Sequence, residues 1–106
     1  MNLTESEFQR QVTDLARMTG WRCNHTRRTI GKGNRWVTAT SVVGWPDLFL
    51  YRPGEHMAVE LKTDKGHLTA EQWTVLGDLA ASGVETHVWR PSDWDEIQAR
   101  LARSVA

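Results

Sequence analysis

Asp47, Glu60 and Lys62 are the residues of this chain whose types and spacing could do chemistry. Between them lies Arg52-Pro53-Gly54-Glu55, a turn signal flanked by strand-like runs over 47–51 and 57–62. A turn centred between Pro53 and Gly54 sets Tyr51 opposite His56, Phe49 opposite Ala58 and Asp47 opposite Glu60. Directly opposed side chains stand about 5 Å apart at Cβ. Lys62, two residues beyond Glu60, shares that face. The other face collects Leu48, Leu50, Met57, Val59 and Leu61, an apolar set fit for a core. A turn one residue longer or shorter would put the two carboxylates on different faces.

Two opposed carboxylates repel, and a divalent cation removes the conflict. Mg²⁺ takes a few carboxylate oxygens and keeps water and substrate phosphate around it. Such an ion lowers the pKa of a coordinated water and neutralises charge on a phosphoryl oxygen. An ammonium beside it could orient the water or stabilise the transition state. The same residues on a solvated strand would be an ordinary Glu60–Lys62 ion pair, common and weakly stabilising. Spacing alone does not separate the two.

The elements that must position these groups are legible in the pattern. Thr4-Glu5-Ser6-Glu7 has the form of a capping box, and Phe8, Val12, Leu15 and Ala16 follow at helical spacing, predicting a helix over 5–19 closed by Gly20. Residues 21–26 read as a short strand, and 28–43 as a basic mobile loop or hairpin with a strand at 35–39. A second box, Thr69-Ala70-Glu71-Gln72, opens a helix with Trp73, Leu76, Leu79 and Ala80 on one face, ended by Gly83. A strand over 84–89 follows. Pro91-Ser92-Asp93 then starts a last helix with Trp94, Ile97 and Leu101 inward. The order α-β-(loop)-β-β-α-β-α, with no repeat or linker, predicts a single α/β domain over 1–106 with a mixed sheet.

Composition sets limits on the partners. One cysteine, Cys23, excludes an intramolecular disulfide framework and a multi-cysteine zinc site. The mean hydropathy is −0.52, and no apolar run approaches the ~18 residues of a membrane span. With no targeting segment visible, a cytoplasmic location is expected. The formal net charge of 0 looks unfavourable for nucleic acid. Its distribution says otherwise. From Leu15 through Pro46 there is no acidic residue, against Arg17, Arg22, Arg27, Arg28, Lys32 and Arg35. A basic stretch in a loop-rich region is either the footprint of a phosphate-backbone binder or a solvated loop.

Pro46-Asp47, a gap, then Glu60-Leu61-Lys62 resembles the PD-(D/E)XK motif of the restriction-endonuclease-like nucleases. Gly44-Trp45-Pro46-Asp47-Leu48, Val59-Glu60-Leu61-Lys62, Lys65-Gly66-His67-Leu68-Thr69, Glu71-Gln72 and Val88-Trp89-Arg90-Pro91 resemble the virus-type replication-repair nuclease (VRR-NUC) subfamily. The resemblance covers nearly the whole chain and is weakest over 28–43. It implies an α-β-β-β-α-β core flanked by helices and a Mg²⁺-dependent DNA endonuclease, with Mn²⁺ as a substitute, leaving 5′-phosphate and 3′-hydroxyl ends. Asp47 and Glu60 would hold the metal, with the Leu61 backbone carbonyl as a further ligand and Lys62 as the catalytic lysine. Gln72 would point at the site, although its capping-box position explains it equally well. The family's first-helix acid falls best on Glu5, which could also reach the metal. Glu7 is more easily explained by capping, and Gln9 shares the Glu5 face.

Nucleic-acid contacts are expected from His25, Arg27, Arg28, Lys32, Arg35, Trp36 and Lys65. For His25 a structural role is equally open, and for Trp36 an ordinary place in a hairpin. A chain of 106 residues leaves no room for a separate sequence-reading domain, so recognition of branched, junction or flap DNA by shape is expected. A homodimer would suit a branched substrate; neither a membrane nor a small-molecule cofactor is implied. The rival readings are a non-catalytic nucleic-acid-binding module of the same fold and a protein-interaction domain using exposed tryptophans.

Overall fold

The computed structural model describes residues 3–26, 28–30, 36–38 and 40–104. Among these residues three helices, α1 (Glu5–Met18), α2 (Ala70–Ala81) and α3 (Trp94–Ala102), accompany six strands. The strands are β1 (Arg22–His25), β2 (Arg28–Ile30), β3 (Trp36–Thr38), β4 (Leu48–Arg52), β5 (Glu55–Leu61) and β6 (Glu85–Trp89). β1, β4, β5 and β6 form a mixed sheet in that order, antiparallel except for the β5–β6 pair, while β2 and β3 make a separate antiparallel hairpin. The chain is thus an α/β domain with a mixed sheet flanked by helices, as the pattern predicts. No helix among the described residues is long and apolar enough to cross a membrane.

Local chemistry accounts for the elements that carry the site. Thr4 and Glu7 exchange both bonds of the first capping box, at 3.1 and 3.0 Å, so Glu7 is committed to starting α1. Pro53 and Gly54, the latter at φ 82°, connect β4 to β5. The resulting register pairs Tyr51 with His56 and Phe49 with Ala58, as expected. The ladder stops at Leu48–Val59, however, and Asp47 sits on the bend before β4 instead of standing in the ladder opposite Glu60. Leu48, Leu50, Met57, Val59 and Leu61 are fully buried with Phe8, Val12, Ala16, Trp89, Ile97 and Leu101.

The inward face of α2 differs from the expectation. Gln72, Val75 and Leu76 are buried, whereas Trp73 is 64% exposed. Positions 72, 75, 76 and 79 lie on one helical stripe, and the bond from Gln72 to Glu60 on β5 turns that stripe toward the sheet.

At the turn end of the β4–β5 hairpin, charge is buried in a closed network. Arg100 pairs with Glu55 at 3.1 Å and with Glu85 at 2.7 Å, and Arg52 pairs with Glu55 at 2.5 Å. Both guanidinium groups lie over the Trp21 ring, at 4.3 and 5.3 Å from its centroid. The hydrogen bonds from Arg100 hold the Glu85 carboxyl down at about 2, a shift that the His87 ring assists.

Candidate functional site

At the other end of the hairpin, three short connections bring the chemical residues together. The first fixes Pro46-Asp47 beside β1. Thr26 donates its hydroxyl to the Pro46 carbonyl at 2.7 Å and its N–H to the Asp47 carbonyl at 2.8 Å. The second crosses from the bend to β5, where the Leu61 N–H donates to Asp47 Oδ2 at 2.9 Å. The Asp47 carboxylate therefore takes the place of a ladder partner at the end of β5 and lies beside Glu60.

The third connection runs through α2. Gly44 adopts φ +89°, and a Cβ there would lie 2.6 Å from the Glu71 carbonyl carbon and 2.8 Å from the Gln72 nitrogen. Only glycine lets the 40–47 segment approach the start of α2 this closely. Gln72 then serves two partners. Its Oε1 accepts from the Thr69 N–H at 2.9 Å, closing the capping box, and its Nε2 donates to Glu60 Oε1 at 3.2 Å. The two roles left open by the sequence are carried by opposite ends of one side-chain amide.

Glu60 is 1% exposed, and its Oε2 is buried without a hydrogen-bond donor. Burial and then the charge of nearby Asp47 push the Glu60 carboxyl up to about 9; nearby Lys62 pulls it down, and Glu5 adds a smaller upward push. At neutral pH and without a cation, Glu60 therefore holds a proton. This is the chemistry that a divalent ion replaces: two adjacent carboxyls, one with a buried oxygen lacking a donor. The donor set fits Mg²⁺, which needs few protein ligands.

The remaining predicted residues divide by position. Lys62 follows β5 directly, half-buried, its N–H bonded to the Trp89 carbonyl at 3.0 Å. Glu5 is exposed on the first turn of α1 and lines a cavity that Asp47 also borders. Among the described residues no three His, Cys, Asp or Glu side chains form a metal-holding group, so Glu5 is not gathered with Asp47 and Glu60 as a third ligand. Lys65 is exposed in the 62–69 connection, which Arg90 clamps through the Thr63 and Gly66 carbonyls at 2.7 and 2.6 Å. Arg28 and Trp36 stand on the β2–β3 hairpin, opposite Thr38 and Ile30. Arg27, Lys32 and Arg35 lie outside the described residues.

Sequence reasoning passed over Gln9 as a partner for His25. The Gln9 amide nitrogen lies 2.7 Å from His25 Nδ1, and both line the cavity beside Asp47. The signal was present in Glu5 and Gln9 sharing a helix face, but nothing in the sequence showed that β1 would run along it.

Compared with protein-family models, with curated proteins and with solved structures, the chain matches none.

Proposed function

We propose that this protein is a Mg²⁺-dependent endonuclease of the PD-(D/E)XK type that hydrolyses phosphodiester bonds in branched or otherwise structured DNA. The observation that carries this reading is the Asp47–Glu60 pair, held together in a partly buried site with one Glu60 oxygen lacking a donor. A protein with no use for the pair gains nothing by burying it, because an unpaired buried carboxyl costs stability. The basic residues of the 15–46 segment supply attraction for the phosphate backbone.

Asp47 and Glu60 would hold the ion. Each is oriented beforehand by one donor, the Leu61 N–H for Asp47 and the Gln72 amide for Glu60, so little reorganisation is needed during reaction. Glu60 releases its proton when it takes up this role. Mg²⁺, when bound, supplies Lewis-acid stabilisation of the phosphoryl oxygens and a more acidic water. The Lys62 ammonium, close enough to act on the charge of Glu60, would neutralise charge developing on the phosphoryl group. Attack of water on phosphorus breaks the P–O3′ bond and leaves 5′-phosphate and 3′-hydroxyl ends.

The test is cleavage of linear, flap and four-way-junction DNA with Mg²⁺ or with chelator, comparing wild type with Asp47→Ala. Metal-dependent cleavage of a branched substrate, lost in the variant, is expected. Chelator-resistant cleavage or an active variant would refute the mechanism, and DNA bound but never cut would favour a binding module.

A further inference from the structure

Beside the Asp47–Glu60 pair lies a cavity of about 760 Å³ between α1 and β1, and its lining follows an order set by the two elements. β1 runs antiparallel to α1: the Cys23 thiol reaches the Thr13 carbonyl at 3.9 Å, and His25 meets Gln9 at 2.7 Å. Glu5 and Asp47 therefore stand at one end of the cavity, Gln9, His25 and Asn24 in its middle, and Arg17 toward the other end. Glu5 and Arg17 are twelve residues apart on the helix, about 18 Å along its axis.

The chemistry of the wall is selective. Among the described residues, the middle carries carboxamides and an imidazole, groups that hydrogen-bond base edges and sugars, and the cation of the lining is Arg17. Arg17 is half exposed and only weakly engaged by Asp14, at 4.0 Å. The cavity has the size of a pocket for a small organic molecule. A duplex is read by elements entering its grooves, whereas a nucleotide taken out of the stack is received in a pocket.

We propose that the α1–β1 cavity receives unpaired nucleotides of the strand flanking the cleavage point, with base and sugar against Asn24 and the Gln9–His25 pair and a backbone phosphate at Arg17. This rests on the reading of Asp47 and Glu60 as the cleavage site, and it gives structure selectivity a physical origin. A strand that is unpaired beside the scissile bond fits the cavity, and a fully paired strand does not.

The experiment titrates the ¹⁵N-labelled full chain, in chelator so that nothing is cut, with single-stranded oligothymidylate, a blunt duplex of equal length, and thymidine 5′-monophosphate. The side-chain amides of Gln9 and Asn24 and the Thr26 N–H should shift saturably with the single strand and much less with the duplex. Asn24→Ala and Arg17→Glu, both at exposed positions, should each weaken single-strand binding roughly fivefold. Equal shifts with duplex, shifts confined to other surfaces, or unaltered binding by both variants would overturn the inference. Monophosphate bound as tightly as the strand would also overturn it. Mg²⁺-dependent cleavage without the cavity shifts refutes the cavity alone; cavity shifts without any cleavage refute the nuclease reading and support the cavity.

Discussion

Gln72 Nε2 donates to a Glu60 carboxylate oxygen 3.2 Å away while Oε1 of the same side chain caps the helix that carries it. The start of α2 is thereby locked to β5, and a helix-initiation signal becomes a way of orienting a buried acid. Folding and site assembly are coupled here through one residue, and substitutions can separate them.

Gln72→Glu keeps an oxygen for the capping box but removes the donor to Glu60. Cleavage should fall by about tenfold or more, with helix content by circular dichroism unchanged. Gln72→Ala, lacking both bonds, should in addition lower stability by about 1 kcal/mol in urea unfolding. Wild-type cleavage by the Glu variant would show that the Glu60 contact has no part in the reaction.

Gly44→Ala places a methyl group against the backbone of Glu71 and Gln72 and forces a left-handed conformation on alanine. A loss of about 1–3 kcal/mol is expected, with reduced cleavage because the start of α2 must move from Glu60. Equal stability of the variant and wild type in denaturant titrations would contradict this packing.

The raised Glu60 carboxyl has a definite linkage sign. Its folded value, about 9, lies above the ordinary 4.5, so the metal-free fold binds the proton more tightly than the unfolded chain. Stability from this group is full below about pH 4.5 and declines as pH rises toward 9. Mg²⁺ bound at this pair, as proposed, would displace the proton, so the rise in Tm on adding Mg²⁺ should grow between about pH 6 and about pH 8.5. Thermal melts with and without Mg²⁺ measure it; a Tm increment independent of pH would contradict the proton held by Glu60.

The network around Arg100 behaves oppositely. Glu85 is held at about 2 instead of 4.5, so its contribution is present above about pH 4.5 and is lost as pH falls through 2. Arg100→Met leaves Glu55 paired with Arg52 and Glu85 paired with His87, and should cost about 1–3 kcal/mol. Acid-unfolding curves of the two proteins test both statements.

Much of this arrangement is legible in the sequence. Capping boxes at Thr4 and Thr69 mark both helix starts because they are local, and the Pro53-Gly54 turn fixes the β4–β5 register because a tight turn leaves one pairing. Long-range contacts were not legible. Asp47 leaves the ladder because its carboxylate bonds the Leu61 N–H, and Trp73 is exposed because Gln72 sets the inward face of α2. The burial of Arg100 against Glu55 and Glu85 joins three elements distant in sequence, and no period or spacing announces it.

The central claim, that the Asp47–Glu60 pair holds the ion that cuts DNA, is tested most directly by Glu60→Gln. This change preserves the shape of the side chain and removes its charge. Single-turnover cleavage of a branched DNA in Mg²⁺ should fall by at least about 10³-fold while DNA binding persists. Cleavage at the wild-type rate by the Gln variant would contradict the account.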